Sequence, residues 1–472
     1  MDGAETSRRR AAAAGAAASL LGGLLLLSAL LRATPAAPPK APARPSPSLV
    51  LITLDTARAD HLHCYGYPLP TTPAIDRLAA SGALFLQAIS QAVNTNPSHA
   101  SLLTGLYPAA HGNRFNATPL DPQLETLTTI LARAGYRTAA FVSGYTMIAS
   151  QSGFNRGFEI YDDGFTGQDR PAGATVDKAV AWLKSLPSGT PYYLFVHLFD
   201  PHGRYDPPAG FAEKFRKGRY DPLPEEAAIP DYQRLEIAGA VSRDPLEYIS
   251  RYDGEILYAD SQIDRILKQI GDETIVAFTA DHGETLVDRD YYFSHGARLN
   301  EEAIRVPLIL RFPAKGLRGK RLTGIVQLVD VLPTLLDYLG QPPPPRLAGR
   351  NLLPFLRAGV IPPGGSALSE ARAAPMRLGG VDVKFPLHST ILSARGDRYK
   401  LISYPTRPQP TLELFDLEKD PSERHNVVSS DAARASSLYQ ALDLYRVSGR
   451  PPEPPDLDEE AKKKLRSLGY LN

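Results

Sequence analysis

The sequence predicts an α/β fold with a mainly parallel central sheet covered by helices on both faces, followed by a smaller C-terminal α+β subdomain. Apolar, β-branched runs have the pattern of buried strands; they lie at residues 48–54, 192–199 and 273–280. Segments with the spacing of amphipathic helices lie between them, at residues 72–80, 124–134, 175–186 and 246–270. Strands that alternate with helices in this way indicate a parallel sheet with both faces covered.

The pattern changes in the last quarter of the chain. A helix is predicted at residues 327–339, and prolines at residues 342–345 then break the chain. Short strands follow, at residues 389–394, 399–403 and 412–415, and then a helix at residues 431–445. We therefore predict a larger α/β domain at residues 49–366 and a C-terminal α+β subdomain at residues 367–472.

Composition limits the possible functions. The chain has 472 residues, of which 43% are hydrophobic and 22% charged, as in ordinary globular proteins. The net charge is only +1 and no basic stripe alternates with aromatic residues, so we expect no nucleic-acid partner. Cys64 is the single cysteine and cannot form an intramolecular disulfide, so cysteine usage leaves the compartment open.

The N-terminus indicates export. Three arginines at residues 8–10 precede an Ala/Leu-rich run at residues 11–31. Residues 1–33 are therefore predicted to be a signal peptide or a membrane anchor, and both remain open because the run reaches the length of a membrane span. A Pro/Ala-rich linker follows at residues 34–48. We expect an exported protein, periplasmic or extracellular, that is either released or anchored to the membrane.

Each predicted strand is followed by side chains that bind metals. Asp55 follows the first strand, Asp281 and His282 follow the third, and the second leads into Asp200 and His202. Ligands of open α/β sheets bind beyond the carboxyl ends of the strands. Because three strands deliver carboxylates and imidazoles to that edge, we expect them to form one site.

A candidate nucleophile lies in the segment at residues 94–116. Thr95 begins the sequence Thr-Asn-Pro-Ser-His, and a short helix is predicted at residues 100–104, ended by Gly105. A hydroxyl placed just before a helix N-terminus has free N–H groups and the positive end of the helix dipole beside it. This environment favours an anion that develops during a reaction.

The same segment resembles two branches of the alkaline phosphatase superfamily. Sulfatases have Cys/Ser-x-Pro-Ser-Arg and then Thr-Gly-x-Tyr-Pro, which is similar to residues 104–108. Nucleotide pyrophosphatases/phosphodiesterases have Thr-Phe-Pro-Asn-His and then His-Gly-x-x-x-Asn, which is similar to His111, Gly112 and Asn116. Residues 413–423 resemble the C-terminal subdomain of sulfatases. The resemblance covers essentially everything after the linker and implies a sulfatase-like fold.

The resemblance implies that Asp55, Thr95, Asp281 and His282 surround one divalent metal ion. A bound cation lowers the pKa of the threonine hydroxyl and holds its oxygen in line with the ester. Calcium sulfatases that resemble this chain usually have a second acid where it has Thr56, and often an amide in place of His282. These departures favour zinc or manganese over calcium or magnesium. The alternative is that the acids only cap turns at strand ends.

Three further residues are predicted to bind the substrate. Asn116 is a candidate oxyanion donor, although an asparagine in a turn is the alternative. His202 and His295 resemble sulfatase residues that face the ester, where they bind the anion or protonate the leaving group. A second metal ion held by Asp200 and His202 is another possibility, but their spacing is tighter than the Asp-x-x-x-His of phosphodiesterases, which favours one metal.

Other polar residues are given no catalytic role. His99 and His111 are predicted to be structural, with hydrogen bonds inside their own loop, and His197 is assigned no function. Glu301 and Glu302 resemble a family motif but are expected to be solvated or locally paired.

The sequence therefore predicts a metal-dependent sulfatase-family hydrolase that cleaves sulfate or phosphate esters. Sulfatases use an aldehyde made from Cys or Ser, whereas Thr95 gives a ketone at best and His99 replaces the arginine of the maturation motif. A phosphothreonine can be hydrolysed by water, but a sulfothreonine lacks the release route of the aldehyde, so the chemistry favours phosphate esters. The alternatives are a phosphoryl-type transferase of the cell envelope and a noncatalytic binding protein with the same fold.

Overall fold

The computed structural model describes residues 47–378, 381–386, 389–448 and 457–468. The predicted export signal at residues 1–33 and nearly all of the predicted linker at residues 34–48 lie outside this range. Among the described residues, no helix combines the length and the apolar character needed to cross a membrane.

An eight-stranded sheet forms the centre of the protein, with the strand order β10-β2-β9-β8-β1-β5-β3-β4. In chain order the strands up to β10 are β1 (Leu49–Leu54), β2 (Ala83–Ile89), β3 (Arg137–Val142), β4 (Ile160–Asp162), β5 (Tyr192–Leu198), the separate short pair β6 (Glu236–Ile237) and β7 (Ala240–Val241), β8 (Ile275–Thr279), β9 (Arg305–Arg311) and β10 (Lys320–Gln327). Only β9 runs antiparallel to its neighbours in this sheet. The mainly parallel sheet is confirmed.

The three predicted strands are β1, β5 and β8, and they lie side by side with β1 in the middle. All six residues of β1 are buried. Since successive side chains of a strand point to opposite faces, both faces of the sheet are covered at this strand.

Helices connect the strands: α1 (Pro73–Ser81), α2 (Thr95–Thr104), α3 (Pro108–His111), α4 (Leu127–Arg133), α5 (Ala149–Ser152), α6 (Ala172–Ser185), α7 (Pro245–Leu267), α8 (Glu301–Ile304), α9 (Val331–Tyr338), α10 (Leu353–Ala358), α11 (Ala432–Ser448) and α12 (Glu459–Ser467). The helix predicted at residues 100–104 starts earlier, so Thr95 is its first residue and does not precede it. The extended backbone of Asn94 ends the preceding segment, and Pro97 is tolerated because it lies in the first turn. Gly105, with φ of +67°, ends the helix.

The C-terminal part forms a four-stranded sheet, β11-β14-β15-β16, which the helix α11 contacts. The strands of this sheet are β11 (Ala367–Arg372), β14 (Thr390–Arg395), β15 (Tyr399–Tyr404) and β16 (Thr411–Asp416). A separate short pair consists of β12 (Met376–Leu378) and β13 (Val381–Val383). Neighbouring strands in the four-stranded sheet are antiparallel. This architecture confirms the predicted C-terminal α+β subdomain.

Buried ion pairs join this subdomain to the central sheet. The Lys400 ammonium of the subdomain lies 3.2 Å from Glu301 Oε1, and Arg289 lies 3.1 Å from Glu423 Oε2 of the subdomain. Within the α/β domain, Arg289 also lies 2.7 Å from Glu302 Oε1. The expectation that Glu301 is solvated or locally paired was therefore wrong, whereas Glu302 does pair with Arg289, 13 residues earlier in the chain. The cation that neutralises Glu301 comes from a distant part of the chain, which the local sequence does not reveal.

The long connection at residues 203–243 has little regular structure but packs as a unit. Its residues Tyr205, Leu223 and Ile229 belong to a buried apolar cluster with α7. The ring of Tyr232 stacks near the ring of His202, with 6.2 Å between centroids. This segment therefore lies beside one of the predicted substrate-binding histidines.

Candidate active site

Two carboxylates and an imidazole meet at the carboxyl ends of adjacent parallel strands. Asp55 directly follows β1, and Asp281 and His282 come just after β8. One possible ligand atom from each residue lies within 4.8 Å of the others. His282 Nε2 lies 3.5 Å from Asp281 Oδ2 and 3.8 Å from Asp55 Oδ1. All three residues are fully buried.

The atoms that converge here fit a metal ion. Asp55 Oδ1, Asp281 Oδ2 and His282 Nε2 are buried and have no hydrogen-bond partner among the described residues. His282 Nδ1–H donates to the carbonyl oxygen of Gly283 at 3.0 Å, so Nε2 presents its lone pair to the carboxylates. Buried acceptors without donors are costly, and a cation placed among them removes that cost.

The electrostatics of the cluster agree with this assignment. Burial raises the pKa of Asp55 to about 7. Burial, together with the neighbouring Asp55, also raises the pKa of Asp281. Burial lowers the pKa of His282, but the two carboxylates outweigh it and raise that pKa above its usual value. Two adjacent buried carboxylates resist ionisation, so a divalent cation that binds them favours the ionised forms and releases protons.

Thr95 reaches this cluster from the first turn of α2. Its Oγ1 donates to Asp55 Oδ2 at 3.4 Å, and the side chain is fully buried. The structure thus brings together all four residues that were predicted to surround the metal ion. Thr56 donates its backbone N–H to Asp281 Oδ1 at 3.3 Å. Its φ of +55° is strained for a β-branched residue, and such strain is concentrated at functional sites.

His197 contacts the cluster although the sequence analysis gave it no function. Its Nε2 lies 3.2 Å from Asp55 Oδ2. Burial lowers the pKa of His197 to about 4, so the ring is neutral and Nε2–H donates to the carboxylate. The register of β1 and β5 pairs Thr53 with His197, which places the imidazole next to Asp55. The available sequence signal was a single imidazole inside an apolar strand.

His99 and His111 hold the nucleophile segment together, as predicted. His99 Nδ1–H donates to the carbonyl oxygen of Thr95 at 2.8 Å, and its Nε2 accepts from the Thr53 hydroxyl at 3.0 Å. His111 Nε2 lies 3.0 Å from Ser101 Oγ. The bonds of His99 fix the first turn of α2 against β1, and the contact of His111 joins α3 to α2.

A row of imidazoles extends from the cluster. The ring of His295 lies 4.7 Å from that of His282 and 4.8 Å from that of His202, measured between centroids. His295 Nδ1 lies 3.3 Å from Glu284 Oε2. Both predicted substrate-binding histidines therefore belong to the site. Glu284 was missed, and its only sequence signal is that it follows His282 by two residues.

Asp200 does not join His202 in a second metal cluster. Its Oδ1 accepts from the backbone N–H of Ala172 at 3.0 Å. Among the described residues, the only group with the geometry of a metal site is Asp55, Asp281 and His282. The structure therefore gives no support to the two-metal alternative.

Asn116 lies beside the first turn of α2. Its Oδ1 accepts from the backbone N–H of Asn96 at 2.9 Å. Its Nδ2 is buried and has no hydrogen-bond partner among the described residues. The bond from Asn96, the residue after Thr95, thus orients the Asn116 amide through its oxygen. The amide nitrogen remains available as a hydrogen-bond donor.

A mainly parallel sheet that carries these groups at its carboxyl edge defines an ester hydrolase of the alkaline phosphatase superfamily. The Sulfatase family model matches residues 47–341, so the chain belongs to the sulfatase family. Proteins of this family generally use a divalent metal ion.

Relatives of this chain act on different esters. It is 23% identical to an N-acetylglucosamine-6-O-sulfatase of Bacteroides thetaiotaomicron over 88% of this chain and 89% of the relative. A solved structure in complex with its substrate D-glucosamine-2-N,6-O-disulfate is similar, with a TM-score of 0.71, 22% identity and coverage of 87% of this chain and 100% of the other. The phosphonate monoester hydrolase of Agrobacterium radiobacter has a TM-score of 0.69 and 22% identity, over 88% of this chain and 98% of the other.

We predict that zinc or manganese stabilises the folded protein through this site. At a metal concentration 100 times the dissociation constant, the free energy of unfolding should rise by about 2.7 kcal/mol. Asp281→Asn should abolish the increase, because it removes one charged ligand. Thermal unfolding of metal-free protein, with and without added metal, measures the effect.

The matched control is Asp264→Asn, since Asp264 is paired with Arg77 at the surface outside the cluster. This variant should keep the full metal-dependent increase. An increase that persists in Asp281→Asn would show that the metal binds elsewhere.

Proposed function

We propose that this protein is a metal-dependent hydrolase of phosphate esters in which Thr95 is the nucleophile. The observation that carries the proposal is the position of the Thr95 hydroxyl. It lies in the first turn of α2 and 3.4 Å from Asp55, whose other oxygen faces the cation site. A threonine held there can attack an ester but cannot become the aldehyde that sulfatases use.

A divalent cation held by Asp55, Asp281, His282 and Thr95 Oγ1 would supply Lewis acidity that lowers the pKa of the hydroxyl and neutralises charge on the substrate. The proposed ligand set, with an imidazole and no third carboxylate, favours zinc or manganese. His197 donates to Asp55 Oδ2 and Thr56 N–H donates to Asp281 Oδ1, so both carboxylates are held in fixed orientations.

In the proposed reaction, Thr95 Oγ1 forms a bond to phosphorus while the bond to the alcohol oxygen breaks. The alcohol leaves with a proton, and the phosphoryl group stays on Thr95. Water then attacks phosphorus, the bond to Thr95 breaks, and the threonine hydroxyl is restored with a proton from that water. Each step transfers one group, and no oxidant or reductant is required.

Asn116 and His295 have complementary proposed roles. The Nδ2 of Asn116, which has no hydrogen-bond partner in the described part of the chain, can donate to an oxygen on which negative charge develops. The Nδ1 atom of His295 faces Glu284, which directs the opposite ring nitrogen away from the carboxylate. That nitrogen is suited to exchange a proton with the leaving alcohol, and His202 lies beside it.

The choice of phosphate over sulfate rests on the second step. Water can hydrolyse a phosphothreonine, whereas sulfate bound to an ordinary threonine lacks the release that an aldehyde hydrate provides. The similarity to a phosphonate monoester hydrolase is compatible with phosphorus chemistry on this fold. A noncatalytic role is disfavoured because the proposed metal ligands and the hydroxyl lie together.

The experiment that tests the proposal compares matched nitrophenyl sulfate, phosphate monoester and phosphate diester, with zinc or manganese added. We expect turnover of at least one phosphate ester and none of the sulfate. Thr95→Ala should lower that turnover by roughly 1,000-fold or more, because it removes the nucleophile. Nitrophenol release measures the rates, and free phosphate distinguishes hydrolysis from transfer to another alcohol.

Thr95→Ser is the control, because it keeps a hydroxyl at the same position and should retain measurable phosphate turnover. Sulfate turnover that depends on Thr95 would overturn the phosphate assignment. Phosphate turnover that survives in Thr95→Ala would overturn the role of Thr95.

A second prediction concerns proton transfer by His295. His295→Gln should slow esters of poorly acidic alcohols by about 100-fold, while nitrophenyl esters change little because their leaving group needs no proton. Glu284→Gln should show a weaker form of the same pattern, since the amide oxygen can still accept from Nδ1–H. Rates measured against leaving-group acidity test this, and an equal loss for every ester would contradict it.

A further inference from the structure

A cleft lies between the segment that carries Thr95 and the strand β11. It is lined by Asn94, Arg114, Phe115, Glu370 and Arg372, among other residues. Asn94 directly precedes the proposed nucleophile, and Phe115 directly precedes the proposed oxyanion donor. Asn94 and Pro97 in its wall flank Thr95 in the chain, so the cleft adjoins the segment that carries the proposed nucleophile.

Hydrogen bonds fix the wall of the cleft relative to the nucleophile segment. Glu370 donates its backbone N–H to the carbonyl oxygen of Gln91 at 2.9 Å, and Ser369 Oγ donates to the carbonyl oxygen of Ser90 at 2.5 Å. Ser90 and Gln91 lie in the segment that leads to Thr95. Arg372, at the end of the same strand, is thus held in register with the site.

The charges in the cleft do not cancel. Arg114 binds Glu370 through two contacts of 2.6 Å, and Tyr445 donates to the same carboxylate at 2.7 Å. Arg372 lies over the ring of Phe115, with its guanidinium carbon 5.6 Å from the centroid. Among the described residues, no carboxylate lies within ion-pair distance of Arg372. One positive charge therefore remains for a ligand.

We propose that this cleft selects substrates whose alcohol part carries a second anionic group, such as a carboxylate, sulfate or phosphate. The guanidinium of Arg372 presents a planar set of donors that matches such an anion, and Phe115 holds the guanidinium plane from one side. Arg114 cannot substitute, because Glu370 already occupies its donors. The inference rests on the proposed function and specifies its substrate class. Binding of the second anionic group can nevertheless be measured without turnover.

The test uses ω-carboxyalkylphosphonates of several chain lengths and the matching carboxamides, which resemble the ester but are not hydrolysed. With the metal-loaded protein, calorimetry should show at least one carboxylate bound about tenfold more tightly than its carboxamide. Arg372→Gln should remove that preference and leave the affinity for the carboxamide unchanged. The preference of the parent should decrease at high salt, because the cleft is open to solvent.

Arg434→Gln is the matched control. Arg434 also lies over an aromatic ring of the C-terminal subdomain, 5.1 Å from the centroid of Tyr399, but it does not line the cleft. This variant should keep the carboxylate preference. Equal binding of both ligand types by the parent at every chain length, or no binding, would overturn the inference, and so would a preference that survives in Arg372→Gln. Because binding is measured without turnover, loss of the carboxylate preference and failure of the Thr95 chemistry are separate results.

Discussion

The placement of two carboxylates side by side in the protein interior is the constraint on which the site depends. Asp55 and Asp281 are fully buried, and bringing two such charges out of water costs several kcal/mol per ion unless a cation compensates them. The adjacent parallel strands β1 and β8 bring them together, and donors from His197 and Thr56 orient them. Thr95 gains its proposed reactivity only because this charge cluster lies beside its hydroxyl.

Family membership and reaction chemistry answer different questions here. The fold is that of the sulfatase family, and its structural relatives include proteins named for sulfate and for phosphonate substrates. The proposed reaction depends on the atom that attacks and on the way the attached group is later released. The threonine at the start of α2, with His99 where the sulfatase motif has arginine, is the basis of the proposal that phosphorus is attacked. Arg372, which has no ion-pair partner among the described residues, then suggests how the organic part of the ester is chosen.

Local sequence predicted those parts of the structure that local sequence determines. The runs that became β1, β5 and β8 are continuous and apolar, so they were recognisable, and the proposed metal ligands come just after β1 and β8. The strands β2, β3, β9 and β10 were not predicted, and β9 is antiparallel for reasons of tertiary packing. The start of α2 was misplaced because the helix gains support from Asn116, which binds the backbone of Asn96 from outside the helix.

Residues whose role depends on distant partners could not be found in the same way. Glu301 is paired with Lys400 across the subdomain boundary, and Glu284 gains its role only through its contact with His295.

The central claim, that Thr95 carries the phosphoryl group, is tested most directly by trapping the phosphorylated threonine. Acid quenching during turnover of a phosphate ester, followed by peptide mass spectrometry, should show phosphothreonine at residue 95 that disappears when substrate is exhausted. Substrate consumption with residue 95 unmodified, or a phosphoryl group on another residue, would contradict the account.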